Sequence, residues 1–292
     1  MQTLRDADEL RAWRAELRAS GESLAFVPTM GNLHDGHLHL VEVARERATR
    51  SIVSIFVNPM QFGAGEDFER YPRTEGADAA RLVDAGADAL FLPGVRTLYP
   101  HGPGDQTRVE VPGISDIHCG AARPGHFVGV ATVVLKLFNL VQPDIAVFGR
   151  KDFQQLLVIR RMVADLNLPL EIVGVPTVRE ADGLAMSSRN GYLDADQRKR
   201  AAGLYATLVM ARERVLAGDP IAEIERNAAA GLAVGGFVPE YLRVCDATTL
   251  APAGADTRDL VILAAARMGA TRLIDNLEFT RGDQAATAVP GR

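Results

Sequence analysis

Two histidines three residues apart, His34 and His37, stand in the stretch 28–40, PTMGNLHDGHLHL. An apolar run at 24–27 stops there at a proline and a glycine, so the histidines fall where a strand ends and a helix begins. Residues three apart share one side of a helical turn, and the free N–H groups of its first turn point the same way. Imidazoles and amides then face one small volume suited to an anion. Gly31 permits a tight turn, and Gly36 leaves room for a ligand between the rings. The stretch reads as a phosphate site. His-x-x-His is also half of a metal site, and a histidine at a helix start can simply cap or pack. Against metal, no Cys or Glu stands at ligand spacing, Asp35 lies between the two rings, and His39 is turned away and expected at the surface.

The stretch 148–156, FGRKDFQQL, repeats that logic. A strand closes on Gly149, and Lys151 can reach a bound polyphosphate. Asp152 suits either a helix N-cap or a contact to a nucleotide sugar, and Gln155, one turn in, faces the same mouth. A third cluster, Met186, Ser187, Ser188 and Arg189, offers two hydroxyls and a guanidinium that suit phosphate oxygens, or else a capped turn. These groups are donors without an obvious nucleophile. Such a set fits attack at a nucleotide phosphate, where positioned charge and hydrogen bonds supply most of the barrier reduction. Two neutral amides, Gln61 and Gln155, suit the hydroxyls and carboxylate of a second substrate, whereas a phosphorylated one would call for more cations.

The elements that must place these groups follow from hydrophobic periodicity. Strands at 24–27, 51–57, 89–92, 145–148 and 170–175 alternate with helices at 36–49, 75–86, 129–141 and 154–166. That is the pattern of an α/β fold, a doubly wound, Rossmann-like parallel sheet whose ligands sit beyond the carboxyl ends of the strands. Asn58, Gln61, Gly149, Lys151 and Asp152 fall at such ends. The loop 58–74 reads as a mobile flap or as ordinary surface. From residue 194 the alternation stops. Helices at 195–217 and 221–233 and strands at 241–245, 260–266 and 272–276 predict a smaller C-terminal α+β domain. The expected division is 1–182, 183–281 and a fraying tail at 282–292.

The 292 residues carry a formal net charge of −5 without a basic cluster, which argues against nucleic acid or an acidic membrane surface as partner. The start, 1–17, is patterned as a charged amphipathic helix, and no apolar run reaches spanning length, so a cytoplasmic protein is expected. Cys119 and Cys245 fit neither a redox pair nor a disulfide framework and are expected as packed, reduced thiols. Among 32 basic residues only Lys136, Lys151 and Lys199 are lysines, which draws attention to the compact ammonium of Lys151.

PTMGNLHDGHLHL, SIFVNPMQFG, YPRT, RPGHFVGV, KLFN, FGRKDFQQL and MSSRNGYL, in this order and spacing, resemble the pantoate–β-alanine ligases. That family belongs among nucleotidylyltransferases with an HxGH signature, here 34–37, and a KMSKS-like loop, here 186–189. The resemblance implies a ligase of pantothenate biosynthesis, on the way to coenzyme A. ATP and (R)-pantoate would give pantoyl adenylate and pyrophosphate, and β-alanine would then displace AMP to form pantothenate. It implies that Met30, Gly31, Asn32, Leu33, His34, Asp35, Gly36 and His37 cradle ATP, with His37 as catalytic donor beside His34 and Lys151. Gly149, Arg150, Lys151, Asp152, Val178, Met186, Ser187, Ser188 and Arg189 would complete the nucleotide contacts. Gln61 and Gln155 would bind pantoate, Gln61 also serving β-alanine. It further implies Mg²⁺ entering with ATP, no metal held by the protein alone, a homodimer, and closure of the C-terminal lobe, since an acyl adenylate must be kept from water. Asn32, Arg150 and Cys119 depart from the residues usual in the family.

Overall fold

Leu24, Ala25, Phe26 and Val27 are all fully buried, which means that their strand is covered on both faces, as parallel sheets require. The computed structural model describes residues 1–282. Its chain divides into two compact units, Met1–Val178 and the part from Arg179 on, so the division falls four residues before the expected 182/183. The tail expected at 282–292 lies, from 283 on, outside the described residues.

In the first unit the elements run β1 (Gln2–Leu4), α1 (Ala7–Ala19), β2 (Leu24–Thr29), α2 (Asp35–Arg47), β3 (Arg50–Ile55), α3 (Glu75–Asp84), β4 (Ala89–Phe91), α4 (Val95–Leu98), α5 (Cys119–Ala122), α6 (His126–Val141), β5 (Ile145–Gly149), α7 (Phe153–Asp165) and β6 (Glu171–Val175). The six strands lie parallel in the order β1-β4-β3-β2-β5-β6. Winding therefore proceeds from β2 toward β4 in one direction and from β5 to β6 in the other. The reversal, where open α/β sheets bind ligands, lies between β2 and β5.

Alternation along the strands sorts the core. Ala25 and Val27 join Val53, Leu90 and Val147 beneath Leu40, Val41 and Ala44 of α2 and Leu82 of α3. On the opposite face Phe26 meets Phe138 of α6 edge-on, with ring centroids 6.3 Å apart, and Phe138 meets Phe148 in the same way.

The second unit holds α8 (Ala195–Ala201), α9 (Gly203–Leu216), α10 (Ile221–Val234), β7 (Val238–Asp246), β8 (Asp259–Met268) and β9 (Thr271–Thr280), the strands antiparallel in that order. Leu204, Leu208, Ile224, Val244, Ile262 and Ala264 are among its buried residues. The α/β sheet with a smaller α+β unit is thus as the sequence predicts.

Three local expectations are corrected. The helix expected through 1–17 begins only at Ala7, because the Asp6 carboxylate caps it by accepting from the Asp8 and Glu9 N–H groups, and residues 2–4 pair with β4 instead. Helix α6 starts three residues before the expected 129, released by Gly125 in the left-handed region at φ 81°. The expected helix 195–217 breaks at Ala202, just ahead of Gly203.

Candidate functional site

The chain leaving β2 is shaped by groups distant in sequence. Thr29 Oγ1 donates to the Ser54 carbonyl at 2.8 Å and accepts from Gly31 N at 3.2 Å. Gly31 takes φ 82° and Asn32 φ 50°. A Cβ on Gly31 would stand 2.9 Å from Ile55 Cγ2, so only glycine lets the chain pass. The buried carboxylate of Asp78, on α3, accepts from Asn32 N at 2.9 Å, Leu33 N at 2.8 Å and Thr74 Oγ1 at 3.0 Å. One turn on, Arg81 donates to the Leu33 carbonyl at 2.8 Å and pairs with Asp35. Helix α3 thus grips three main-chain groups of the turn.

His34 occupies the N-cap position of α2 with extended backbone, and its N–H donates to His37 Nδ1 at 3.3 Å. A nitrogen that accepts carries no proton, so the proton of the neutral His37 ring sits on Nε2. The two rings face each other with centroids 4.0 Å apart. Burial, then the nearby charges of Lys151 and Arg81, push His34 down to about 4. Burial, then the neighbouring His34 ring, push His37 down to about 3. Both imidazoles are therefore neutral at pH 7. His34 Nδ1 is buried without a hydrogen-bond partner among the described residues.

Strand β5 pairs directly with β2 at their starts, Ala25 opposite Ile145 and Phe26 opposite Ala146, and the ladder ends there although the strands run on to Thr29 and Gly149. Beyond Gly149 comes a single 3-10 turn, Arg150–Asp152, ahead of α7. Lys151 Nζ lies 3.6 Å from Asp152 Oδ2, and both charges act on the two imidazoles. Asp152 holds the N-cap position of α7 without a side-chain capping bond. Arg150 Nε donates to the Gly174 carbonyl at 3.0 Å, which directs its side chain along β6.

Gln61 closes the single turn Pro59–Gln61 after β3. Its Nε2 lies 2.9 Å from Met30 Sδ and its Oε1 accepts from Asn58 Nδ2 at 3.2 Å. Asn58 is buried: it donates to the Gly129 carbonyl at 3.1 Å and accepts from the Tyr99 hydroxyl at 2.8 Å, a phenol whose pKa burial raises. A Cβ on Gly129 would lie 2.3 Å from the Met60 carbonyl oxygen, so glycine is required where α6 meets this turn. Of the two glutamines opening α7, Gln154 is committed to structure, accepting from Cys119 N at 3.1 Å and donating to the carbonyls of Ile114 and Ile117 at 2.7 Å each. Gln155, half-buried, stands one turn beyond Lys151. The loop expected as a flap or ordinary surface gathers Phe68 and Tyr71 on the Phe62 ring, with centroids 5.3 and 6.0 Å away. His39 is partly exposed and pairs with Glu42, as its position on the helix predicts.

The first unit accordingly brings Met30–His37, Gln61 and Gly149–Asp152 together at the switch point, and Val178 is its last residue. Met186, Ser187, Ser188 and Arg189 belong to the second unit. There Ser187 Oγ accepts from Arg189 N at 3.3 Å, capping the turn Ser188–Tyr192, and Asn190 Nδ2 donates to the Ala185 carbonyl at 3.0 Å. A narrow hairpin, closed by the bridge from Arg179 to Ala185, precedes them. Its foot is fixed: Arg179 donates to both Asp275 carboxylate oxygens at 2.7 and 3.0 Å, to the carbonyls of Gly183 and Asn276, and lies 3.6 Å over the Tyr205 ring.

Asp78, Arg81, Tyr99, Gly129, Arg179 and Asp275 escape the sequence reading. Charged side chains on amphipathic elements read as solvated faces, and only the YPRT stretch just before α3 hinted that this region mattered. Among the described residues no three His, Cys, Asp or Glu side chains gather as a metal site, and no helix is long and apolar enough to cross a membrane.

A family model described as pantoate-beta-alanine ligase matches residues 2–278. A pantothenate synthetase of Shewanella amazonensis is 60% identical over 282 residues, 96% of this chain and 100% of that one. One from Ectopseudomonas mendocina is 56% identical over 278 residues, 95% and 98% of the two chains. Among solved structures, a pantothenate synthetase from Thermus thermophilus superposes with a TM-score of 0.88 at 50% identity, covering 95% of this chain and 99% of that one. The pantoate-beta-alanine ligase from Francisella tularensis, complexed with beta-gamma ATP and beta-alanine, gives 0.81 at 30% identity, with 97% and 99% covered.

Proposed function

This chain belongs to the pantoate–β-alanine ligase family, and from that premise we propose that it joins (R)-pantoate to β-alanine with cleavage of ATP through a pantoyl adenylate. The observation that carries the reading is the pair of neutral imidazoles set beside Lys151 at the two strand tips flanking the switch point. The ligands named for the Francisella relative support a nucleotide and an amine as substrates here.

A pantoate carboxylate oxygen attacks the α-phosphorus, and the bond to the β-phosphate oxygen breaks, so pyrophosphate leaves with the bonding electrons. Negative charge shifts onto the non-bridging and departing oxygens, where neutral His37 can donate from Nε2 while the Lys151 ammonium supplies charge. A neutral donor suits this role because it does not bind the ground-state triphosphate more tightly than the transition state. In the second step the β-alanine amine attacks the carbonyl carbon, AMP leaves, and the amine gives up a proton. Mg²⁺ enters as the counter-ion of the triphosphate.

Met30–His37, Gly149–Asp152 and Val178 are proposed as nucleotide contacts in the first unit, and Met186, Ser187, Ser188 and Arg189 as phosphate contacts in the second. Gln61 and Gln155 are proposed to hold pantoate, Gln61 also receiving β-alanine. The resemblance also supports a cytoplasmic homodimer.

With ATP, Mg²⁺, pantoate and β-alanine the protein should release AMP and pyrophosphate, and without β-alanine it should exchange labelled pyrophosphate into ATP only when pantoate is present. Formation of ADP, or exchange independent of pantoate, overturns the adenylate. His37→Ala should lose about 10²- to 10³-fold in exchange rate, and an unchanged rate would reduce it to packing.

A further inference from the structure

A half-buried polar cluster behind Gln61 has no part in the chemistry above. His126, the first residue of α6, lies with Nδ1 2.8 Å from the Gln61 carbonyl oxygen. A carbonyl only accepts, so Nδ1 carries the proton and Nε2 is left to accept from Arg123 Nη1 at 3.0 Å. Arg123 Nη2 also donates to the Gln61 carbonyl, at 3.2 Å. Both ring nitrogens are thereby satisfied in the neutral form, and burial, with Arg123 adjacent, pushes His126 down to about 4. On its far side Arg123 grips Glu66 through Nε and Nη2, each at 2.6 Å. Burial alone would raise the Glu66 carboxyl, but the guanidinium overrides it and holds it at about 2. Glu66 also accepts from Gly63 N at 3.1 Å, which draws the loop after Gln61 into the cluster.

The main chain of the turn that presents Gln61 holds itself weakly. Its two backbone bonds, Gln61 N to the Asn58 carbonyl and Phe62 N to the Pro59 carbonyl, are both 3.4 Å long, and the Asn58 side chain adds a cap by accepting from Met60 N at 3.2 Å. A carbonyl that accepts two donors, one of them charged, is fixed in direction, and fixing that peptide plane fixes the direction in which the Gln61 side chain leaves the chain. A small hydroxy acid held between the Gln61 and Gln155 amides needs that direction set, since a misplacement of about 1 Å can cost 10²-fold in rate.

We propose that Arg123 and His126 are positioning residues for the pantoate-binding amide, aiming Gln61 through its main-chain carbonyl, and that Glu66 ties the following loop to the same point. The proposal rests on the assignment of Gln61 to pantoate.

The test measures KM for pantoate and for ATP separately, in pantoate-dependent pyrophosphate exchange, for His126→Ala, His126→Gln, Arg123→Lys, Gln61→Ala and the Gln61→Ala/His126→Ala pair. His126→Ala and Arg123→Lys should raise the pantoate KM about 5- to 20-fold and leave the ATP KM within about 2-fold. His126→Gln, whose amide can donate to the same carbonyl, should recover part of the loss. In the Gln61→Ala background, His126→Ala should add nothing, because the amide it aims is gone. Equal rises in both KM values, no rise for pantoate, or multiplying effects in the double variant would overturn the positioning role. An unchanged pantoate KM in Gln61→Ala alone would instead overturn the assignment of Gln61, and the proposal with it. Should His126→Ala fail to fold, Arg123→Lys decides.

Discussion

The two loops proposed to meet phosphate, 29–37 in the first unit and 186–190 in the second, are held in opposite ways. The first is seized from far along the chain: Asp78 and Arg81 take three of its main-chain groups, and Gly31 threads past Ile55. In the second the capping bonds run to near neighbours, Ser187 to Arg189 and Asn190 to Ala185, while the distant strand β9 fixes the foot of the hairpin before it through Arg179 and Asp275 and also packs against the turn Ser188–Tyr192. A loop gripped at several main-chain groups from across the fold is preorganised for an anion. A loop whose capping bonds are local can shift those bonds without disturbing the foot beside it.

Acid should separate the two units most sharply. All six histidines lie in the first unit, and His34, His37 and His126 are held neutral there, at about 4, 3 and 4. Unfolded, each takes up a proton below about 6.5, so the unfolded state binds more protons and stability rises with pH through that window. Stability is fully present above about 6.5 and is lost toward pH 4, by up to about 1.4 kcal/mol per pH unit for each histidine. Glu66, depressed to about 2, adds a further loss once the pH falls below its ordinary range near 4.5. Hydrogen exchange followed from pH 7 to pH 4.5 should show β2, β3 and β5 losing protection faster than β8. Equal losses in both units would refute the contrast.

Asp275→Ala should be the largest single-residue effect, since it leaves the mostly buried Arg179 guanidinium without its counter-charge, at about 3 to 5 kcal/mol. Urea unfolding measures the loss, and faster exchange across 179–190 locates it. A change below about 1 kcal/mol would mean that the hairpin foot is held by the Arg179 bonds to the Gly183 and Asn276 carbonyls and its stacking on Tyr205. Asp78→Ala follows at about 2 to 4 kcal/mol, because the buried Leu33 N–H is left unsatisfied and the half-buried Asn32 N–H loses the same acceptor. Its diagnostic readout is the ATP KM, expected to rise at least about tenfold as the turn loses its shape. An unchanged ATP KM would show that the turn keeps its shape without α3.

The same contrast explains what could be read from the residues alone. Strand tips, glycine turns and the histidine pair are local patterns, and periodicity places them because each depends on residues within one or two turns. The second unit was legible to the same depth, apart from the break at Ala202, where Thr207 Oγ1 bonds to the Gly203 carbonyl within a run of good helix formers. Asp78, Arg123 and Asp275 act across 45 or more residues, and in sequence they are ordinary charges on elements with a solvated side. Of two adjacent glutamines, Gln154 packs inward while Gln155 stays half-buried, a distinction set by the phase of α7. Polar side chains that position a loop carry no period of their own, so they emerge only when the sheet has been assembled.

Ser187→Ala should be the smallest effect on stability and the finest probe of the second loop. The hydroxyl accepts the Arg189 N–H at a long 3.3 Å, in a half-buried turn that water can reach. Caps of this kind contribute about 0.5 to 2 kcal/mol, and the length of this bond puts it at the low end. Local bonding also means that the loss stays within the turn, since no described strand or helix of the second unit leans on that hydroxyl. If the loop binds phosphate through this group, the ATP KM should nonetheless rise several-fold while the unfolding midpoint barely moves. A fall in stability above about 2 kcal/mol would place the second loop beside the first, as one that the fold depends on, and would remove the ground for treating it as the part free to rearrange.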